Sequence, residues 1–403
     1  AERCDRSESG AGASLSAHAS LLVWVGFMRA RVSSPPRRRA LHAAYRKVVL
    51  ATTLTYLLQE CVYAYQERGD MVKLSRVMFL LLCHITSLAK QIVFHTDADR
   101  IDVMVASLDD EAFSSGGPRA RALLARTERH ARMLLRAYAG CAVLTCTLWL
   151  VFPAVDRTLT LTKLFLSPTR FWYCFRFSLV LSYSYYVTTL VGIANTSMDA
   201  FMATILYQCT TQLKILRMDL EDLIERVKEE SKETGEDEKN TFMKLFVQCL
   251  NHYEKVNQTA KLLQDIFGIP ILIQFGIGGW ILCMAAYKLV SLNVLSIEFT
   301  SMTLFISCIL TELFIYCYYG NELTVESEQI AGSVYASGWT SGGVGVGARR
   351  SLLLLMVRAR RPLRPAAGFV VALSLDTFLK VILPHPLNPR PHTQSSPNLH
   401  PFF

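Results

Sequence analysis

Six ionisable residues sit inside long apolar runs of this chain: Glu60, Lys90, Arg176, Glu312, Asp376 and Lys380. Where such charges converge, they serve ion pathways, proton relays or ligand counter-charges, because an unpaired charge in an apolar setting is costly. Their spacing here argues for less. Asp376 and Lys380 form an i, i+4 pair, which reads first as helix stabilisation and second as pore chemistry. Glu60, Lys90 and Arg176 fall near the ends of their runs, where long side chains reach the interface. His84 is a lone histidine in an apolar run and reads as bonded to a neighbouring helix. No His-rich zinc pattern, no glycine loop ahead of a Lys-Ser/Thr pair and no nucleophile elbow occurs. An enzyme, a metal and a cofactor are therefore not expected. Gly276-Ile277-Gly278-Gly279 lies within an apolar run and reads as a close helix–helix contact.

The elements that carry these residues follow from composition. Apolar residues make up 51% of the 403 residues and charged ones 19%, with a positive mean hydropathy of +0.27. The apolar residues form long runs and the charges collect between them, which is the pattern of a polytopic membrane protein. A span needs about 20 apolar residues to cross a core of roughly 30 Å. Seven runs qualify: 47–65, 77–94, 133–153, 171–195, 266–287, 299–319 and the short 366–383. The expected fold is an all-α membrane protein of seven transmembrane helices, with one domain over 41–383. Residues 1–40 are aperiodic and rich in Ser, Ala, Gly and Arg, so they are expected to be disordered or foreign to the fold. The short run 19–28 lacks a basic lead and is not read as a cleaved signal, so the first span would target the protein.

The net charge of +9 is explained by loops rather than by nucleic acid, since Lys and Arg gather on the cytoplasmic side of a membrane. Arg37, Arg38, Arg39 and Arg46 precede the first span. Arg119, Arg121, Arg126 and Arg129 follow the second, and Arg349, Arg350, Arg358 and Arg361 follow the sixth. The alternate loops are poorer in Lys and Arg. The N-terminus is thus expected in the cytoplasm and the C-terminus outside, the reverse of a G-protein-coupled receptor. The eleven cysteines show no zinc or disulfide spacing and read as buried thiols. Asn195 and Asn257 match the glycosylation pattern, yet neither is expected to be modified in this topology.

Residues 200–265 lack proline and repeat apolar residues at helical spacing on both sides of a charged patch around Gly235. Spans four and five are expected to continue as a helical hairpin well into the cytoplasm.

Two blocks near the end carry a resemblance. The first is Tyr318-Tyr319-Gly320-Asn321-Glu322-Leu323, followed by Ser327, Ile330, Tyr335 and Trp339. The second is Arg349-Arg350-Ser351-Leu352-Leu353, Met356, Arg358, Arg361-Pro362, Ala367-Gly368, Leu373-Ser374-Leu375 and Thr377-Phe378. Over roughly the last quarter of the chain they resemble the C-terminal signature of insect odorant receptors. That resemblance implies a tuning subunit of an odour-gated cation channel, with the same inverted orientation and with long cytoplasmic extensions of helices four to six. It implies a hetero-tetramer with a shared odorant receptor coreceptor in the plasma membrane of olfactory sensory neuron dendrites, and a small volatile hydrophobic ligand. It implies a subunit anchor at Tyr319, Gly320, Asn321, Glu322, Tyr335 and Trp339, together with Asp199 and Cys209. A split seventh span is also implied, hinged near Pro362 and Pro365. Its outer half would line the pore through Ser374, Asp376, Thr377, Phe378 and Lys380.

The resemblance places the ligand among spans two, three, four and six. Their outer halves are rich in rings, and an aromatic cavity with a few hydroxyls suits a small volatile molecule. Trp149, Tyr183, Tyr186 and Phe305 are the candidate ligand residues. The tail departs from the family: six prolines in residues 384–403 cannot continue a helix, so that stretch is not expected to belong to the fold. The alternatives are a gustatory receptor of the same superfamily, whose Thr-Tyr and Gln-Phe signature is not present, and a secondary transporter.

Overall fold

The computed structural model describes residues 13–30, 34–69, 71–108, 113, 117–162, 169–290, 292–294, 296–340 and 345–382. Within these, side chains are described except at 13–14, 71–73, 75–76, 149–178, 180 and 297. The helices are α1 (Ala13–Trp24), α2 (Pro36–Gln66), α3 (Met71–Thr96), α4 (Ala98–Leu108), α5 (Pro118–Thr162), α6 (Thr169–Glu221), α7 (Leu223–Thr234), α8 (Glu238–Val290), α9 (Ile297–Glu328), α10 (Ile330–Ala336) and α11 (Val346–Ala359). A two-stranded hairpin, β1 (Ala366–Ala367) and β2 (Val371–Ala372), precedes α12 (Leu375–Ile382).

The first six predicted spans each lie inside one helix: α2, α3, α5, α6, α8 and α9 in order. Four of the described helical stretches, 77–96, 181–221, 238–290 and 298–336, are both long and apolar enough to cross a bilayer. The expected hairpin beyond spans four and five is present. α6 and α8 are 53 residues each, about 80 Å at 1.5 Å per residue, so both must project well past a core of roughly 30 Å. Gly235 turns the chain between α7 and α8 with φ of 70°, a left-handed geometry that glycine adopts at little cost. α6 forms the centre of the core. Met198, Phe201, Ile205, Leu206, Cys209 and Leu213 are all buried there, and α5, α8, α9, α1 and α3 pack around it.

The structure departs from the sequence reading at both ends. Residues 13–24 form a helix instead of an aperiodic tail, and Leu15, Leu22, Val25 and Phe27 bury into the main core. Short-range patterning missed this because α1 gains its stability from docking rather than from its own periodicity. Arg46 fastens the connection, donating to the carbonyls of Phe27 (3.2 Å) and Phe94 (2.9 Å).

The expected continuous seventh helix over 366–383 does not form. Gly368 and Phe369 both have positive φ, 56° and 61°, as a type I′ turn requires. The Val370 amide closes that turn on the Ala367 carbonyl at 3.1 Å, and the Leu373 amide donates to the Pro365 carbonyl at 3.0 Å. Two left-handed residues in succession end any helix. The hairpin is held instead by α8, where the Gly368 amide donates to the Gly268 carbonyl at 2.8 Å and the Ala366 amide to Gln264 Oε1 at 3.2 Å. Only α12 remains helical, and its eight residues reach about 12 Å. The proline-rich stretch 384–403 lies outside the described residues.

Candidate ligand-binding site

Helical spacing prepares a polar cluster. Asn195 and Asp199 are one turn apart on α6, and Glu312 and Tyr316 are one turn apart on α9, so each pair shares a face. Lys90 of α3 points between them. Its Nζ donates to Asn195 Oδ1 and Glu312 Oε1, both at 3.0 Å, and to Asp199 Oδ1. The Tyr316 hydroxyl donates to Asp199 Oδ1 at 2.6 Å. Asn195 Nδ2 bridges Asp199 Oδ2 and Glu312 Oε1, each at 3.3 Å, and Gln274 of α8 donates its amide to Glu312 Oε1. Side-chain exposure is 0% for Lys90 and Asp199 and 7% for Glu312. One cation thus meets two carboxylates in a site closed to solvent.

This overturns the expectation that Lys90 reaches the interface. The ammonium has dense local compensation, which a buried charge needs. Glu60 likewise turns inward. His84 Nδ1 donates to Glu60 Oε2 at 2.8 Å, so the histidine bonds to a neighbouring helix as the sequence suggested. The side chain of Arg176 lies outside the described residues.

Directly on this cluster stands a cavity of ≈ 110 Å³. α3 lines it with Leu80, Cys83 and His84, and α5 with Tyr138, Ala142, Thr145 and Cys146. α6 adds Thr188, Val191, Gly192, Asn195 and Thr196, and α9 adds Phe305, Cys308, Ile309 and Glu312. An apolar wall with a few polar groups at one end is the build of a small-molecule site. A larger cleft of ≈ 1240 Å³ between α5, α6 and α8 is lined by Asp219, Asp222, Arg226, His252 and Lys255. Its charge makes it a poor match for an apolar ligand.

Of the four candidate ligand residues, Phe305 lines the cavity and packs edge-on against Phe79 at 6.0 Å. Tyr183 lies outside it, with its ring 6.0 Å from that of Tyr56, and Tyr186 is 58% exposed. The side chain of Trp149 lies outside the described residues. The sequence reading missed Asn195, Thr145, Thr196 and Glu312 as cavity residues. A signal was available in Glu312, an acid inside an apolar run.

Of the residues expected to form an anchor, Tyr319, Gly320, Asn321 and Glu322 lie on α9 and Tyr335 on α10. The Tyr319 ring packs on Tyr207 at 5.2 Å. Gly320 lies so close to Leu373 that a Cβ would sit 2.6 Å from its carbonyl oxygen. Asn321 is half-buried on the same helix, and Glu322 is 3.8 Å from Lys214. Tyr335 is exposed, whereas Trp339, Asp199 and Cys209 are buried within the chain. Among the residues expected to line a pore, Ser374 caps α12 by accepting from the Thr377 amide at 3.2 Å. Thr377 Oγ1 donates to the Ala372 carbonyl at 2.7 Å, and the Phe378 ring meets Phe314 at 5.3 Å. Asp376 and Lys380 form the expected pair at 2.6 Å, fully on the surface.

Gly278 alone of the glycine cluster approaches α9, since a Cβ there would be 3.5 Å from Leu313. Gly276 and Gly279 face open space. Asn195 and Asn257 both lie within helices, and Asn257 is buried, so neither presents a loop acceptor.

Long apolar helices packed around a small, half-open cavity define a polytopic α-helical membrane protein. The chain belongs to the 7tm Odorant receptor family, whose model matches residues 70–383. It is 24% identical to Odorant receptor 2a of Drosophila melanogaster over 290 residues, 68% of this chain and 70% of that protein. It is 28% identical to Odorant receptor 94a of the same species over 132 residues, 32% of this chain and 34% of that protein. The fold resembles the insect olfactory receptor OR5 from Machilis hrabei, solved in complex with eugenol, with a TM-score of 0.77 and 14% identity over 91% of this chain and 94% of that one.

Proposed function

We propose that this chain is an odorant-binding subunit of a ligand-gated, weakly selective cation channel that works with a coreceptor. One observation carries the reading: α3, α5, α6 and α9 line a half-open cavity that rests on the Lys90–Asp199–Glu312 cluster. These helices hold the second, third, fourth and sixth predicted spans. A small volatile molecule fills the cavity, and burial of its carbons supplies most of the affinity.

Binding favours an open arrangement of the pore segments through its differential contacts in the two states. The route along α9 supports this. Glu312 touches the cavity, Tyr316 lies one turn on, and Gly320 lies against Leu373 at the entry to the last segment. The N-terminus is cytoplasmic, with the plasma membrane of a sensory neuron as the site of action. Arginine placement supports this orientation.

The test is current recording from cells that co-express the chain with a coreceptor, against a panel of volatiles. Eugenol is the first probe because a protein of similar fold is solved with it. Evoked cation current carries the reading. Uptake of a substrate without current would favour a secondary transporter, for which the buried charge pairing is the one favourable feature. Tags on both termini that place the front end outside the cell would overturn the orientation.

A further inference from the structure

The cavity's polar lining has already used most of its hydrogens. Thr145 Oγ1 donates to the Cys141 carbonyl at 2.9 Å, and Thr196 Oγ1 donates to the Gly192 carbonyl at 3.0 Å. Both amide hydrogens of Asn195 serve carboxylates, and its Oδ1 holds Lys90. Glu312 Oε1 already accepts from Lys90, Asn195 and Gln274, so its second oxygen is the acceptor it offers to a guest. Tyr138 and Thr188 bring hydroxyls that serve either way, the latter 3.4 Å from the Tyr56 hydroxyl, and Cys83, Cys146 and Cys308 bring only weakly donating thiols. Lone pairs therefore dominate what the lining offers to a guest.

Charge points the same way. Of the two acids that meet Lys90, Asp199 and Glu312, Glu312 is the one at the cavity. An anionic head there would meet the Glu312 acid rather than a free cation. A head that donates would find waiting acceptors.

Resting on the receptor reading above, we infer that the cavity selects ligands whose polar head donates a hydrogen bond, namely alcohols, phenols and primary amines with a compact apolar body. Ethers, ketones and esters of the same shape leave buried acceptors facing acceptors, which costs affinity. Carboxylates are excluded.

The test uses the full channel with its coreceptor and four probes of nearly equal size: 1-hexanol, hexylamine, methyl pentyl ether and hexanoate. The alcohol and the amine are each expected to act at a concentration at least about ten-fold below the ether, with hexanoate inactive. A Thr145→Val, Thr196→Val double substitution keeps shape while removing two acceptors, and it is expected to lower the alcohol-to-ether ratio. Glu312→Gln is expected to do the same and to admit acceptor ligands. If Glu312→Gln fails to reach the surface, the threonine pair decides. Equal responses to hexanol and the ether, or a ratio unmoved by the threonine pair, would overturn the inference and leave the receptor reading standing. Silence towards these probes, eugenol and a broad volatile panel would defeat the receptor reading and the inference together.

Discussion

Lys90 on α3 and Glu312 on α9, 222 positions apart in the chain, meet at 3.0 Å with both side chains withdrawn from solvent. The ammonium is the hub that binds α3, α6 and α9 at one level of the bundle. Removing it leaves two carboxylates without their cation, and loss of one partner from a buried pair costs about 3–5 kcal/mol. Lys90→Met is therefore expected to abolish surface delivery or lower the melting temperature sharply in detergent. Asp199→Asn, which retains a hydrogen-bonding head for Tyr316, is expected to be milder. Normal melting of Lys90→Met would refute the hub.

Phe305 and Tyr186 separate the structure from the sequence reading. Phe305→Ala opens the cavity and removes the edge contact with Phe79, so the response is expected to shift toward bulkier ligands. Stability should fall by about 3 kcal/mol or more. Tyr186→Ala, on an exposed side chain, is expected to leave the ligand profile unchanged. Concentration–response curves over a size series of alcohols measure both. A profile that moves with Tyr186 and ignores Phe305 would displace the proposed cavity.

Gly320 and Gly279 form a matched pair. Alanine at 320 would drive its Cβ into Leu373, whose Cβ and carbonyl oxygen would both lie 2.6 Å away. Backbone cannot yield as a flexible side chain can, so a loss of about 1–3 kcal/mol and impaired gating are expected. At 279 nothing lies within 4 Å, and Gly279→Ala is expected to be neutral or to stabilise by up to about 1 kcal/mol. Thermal melting of the two variants, with current recording for the first, checks this.

His252, in the part of α8 outside the apolar run, gives a pH dependence. Burial is the main cause that lowers its pKa from 6.5 to about 4, with Lys255 adding to it. The ring stays neutral and donates to Gln212 Oε1 at 2.9 Å. The unfolded chain takes up a proton near pH 6.5 while the folded chain resists until about 4. Stability is thus complete above the unfolded value and falls as the pH drops through that window, by up to roughly 3 kcal/mol. His252→Gln keeps a donor and is expected to flatten the melting temperature between pH 7 and 5. An unchanged slope would assign the acid sensitivity to other groups.

The sequence alone determined the apolar helices, since about 20 apolar residues in a row leave few folds open. It also determined the long hairpin at 200–265, where helical spacing and Gly235 are local signals. The family signature around Tyr319 and Gly320 was legible for the same reason, because it is contiguous. Tertiary structure decided what depends on distant partners. Lys90 read as a residue near a run's end until Asp199 and Glu312 stood beside it. Residues 366–372 read as helix until Gly268 and Gln264 of α8 offered a hairpin its hydrogen bonds. α1 read as a tail until the core accepted Leu15 and Leu22. In each case the deciding energy lies in contacts across more than a hundred residues or between whole elements, and a local pattern cannot encode where its partner will be.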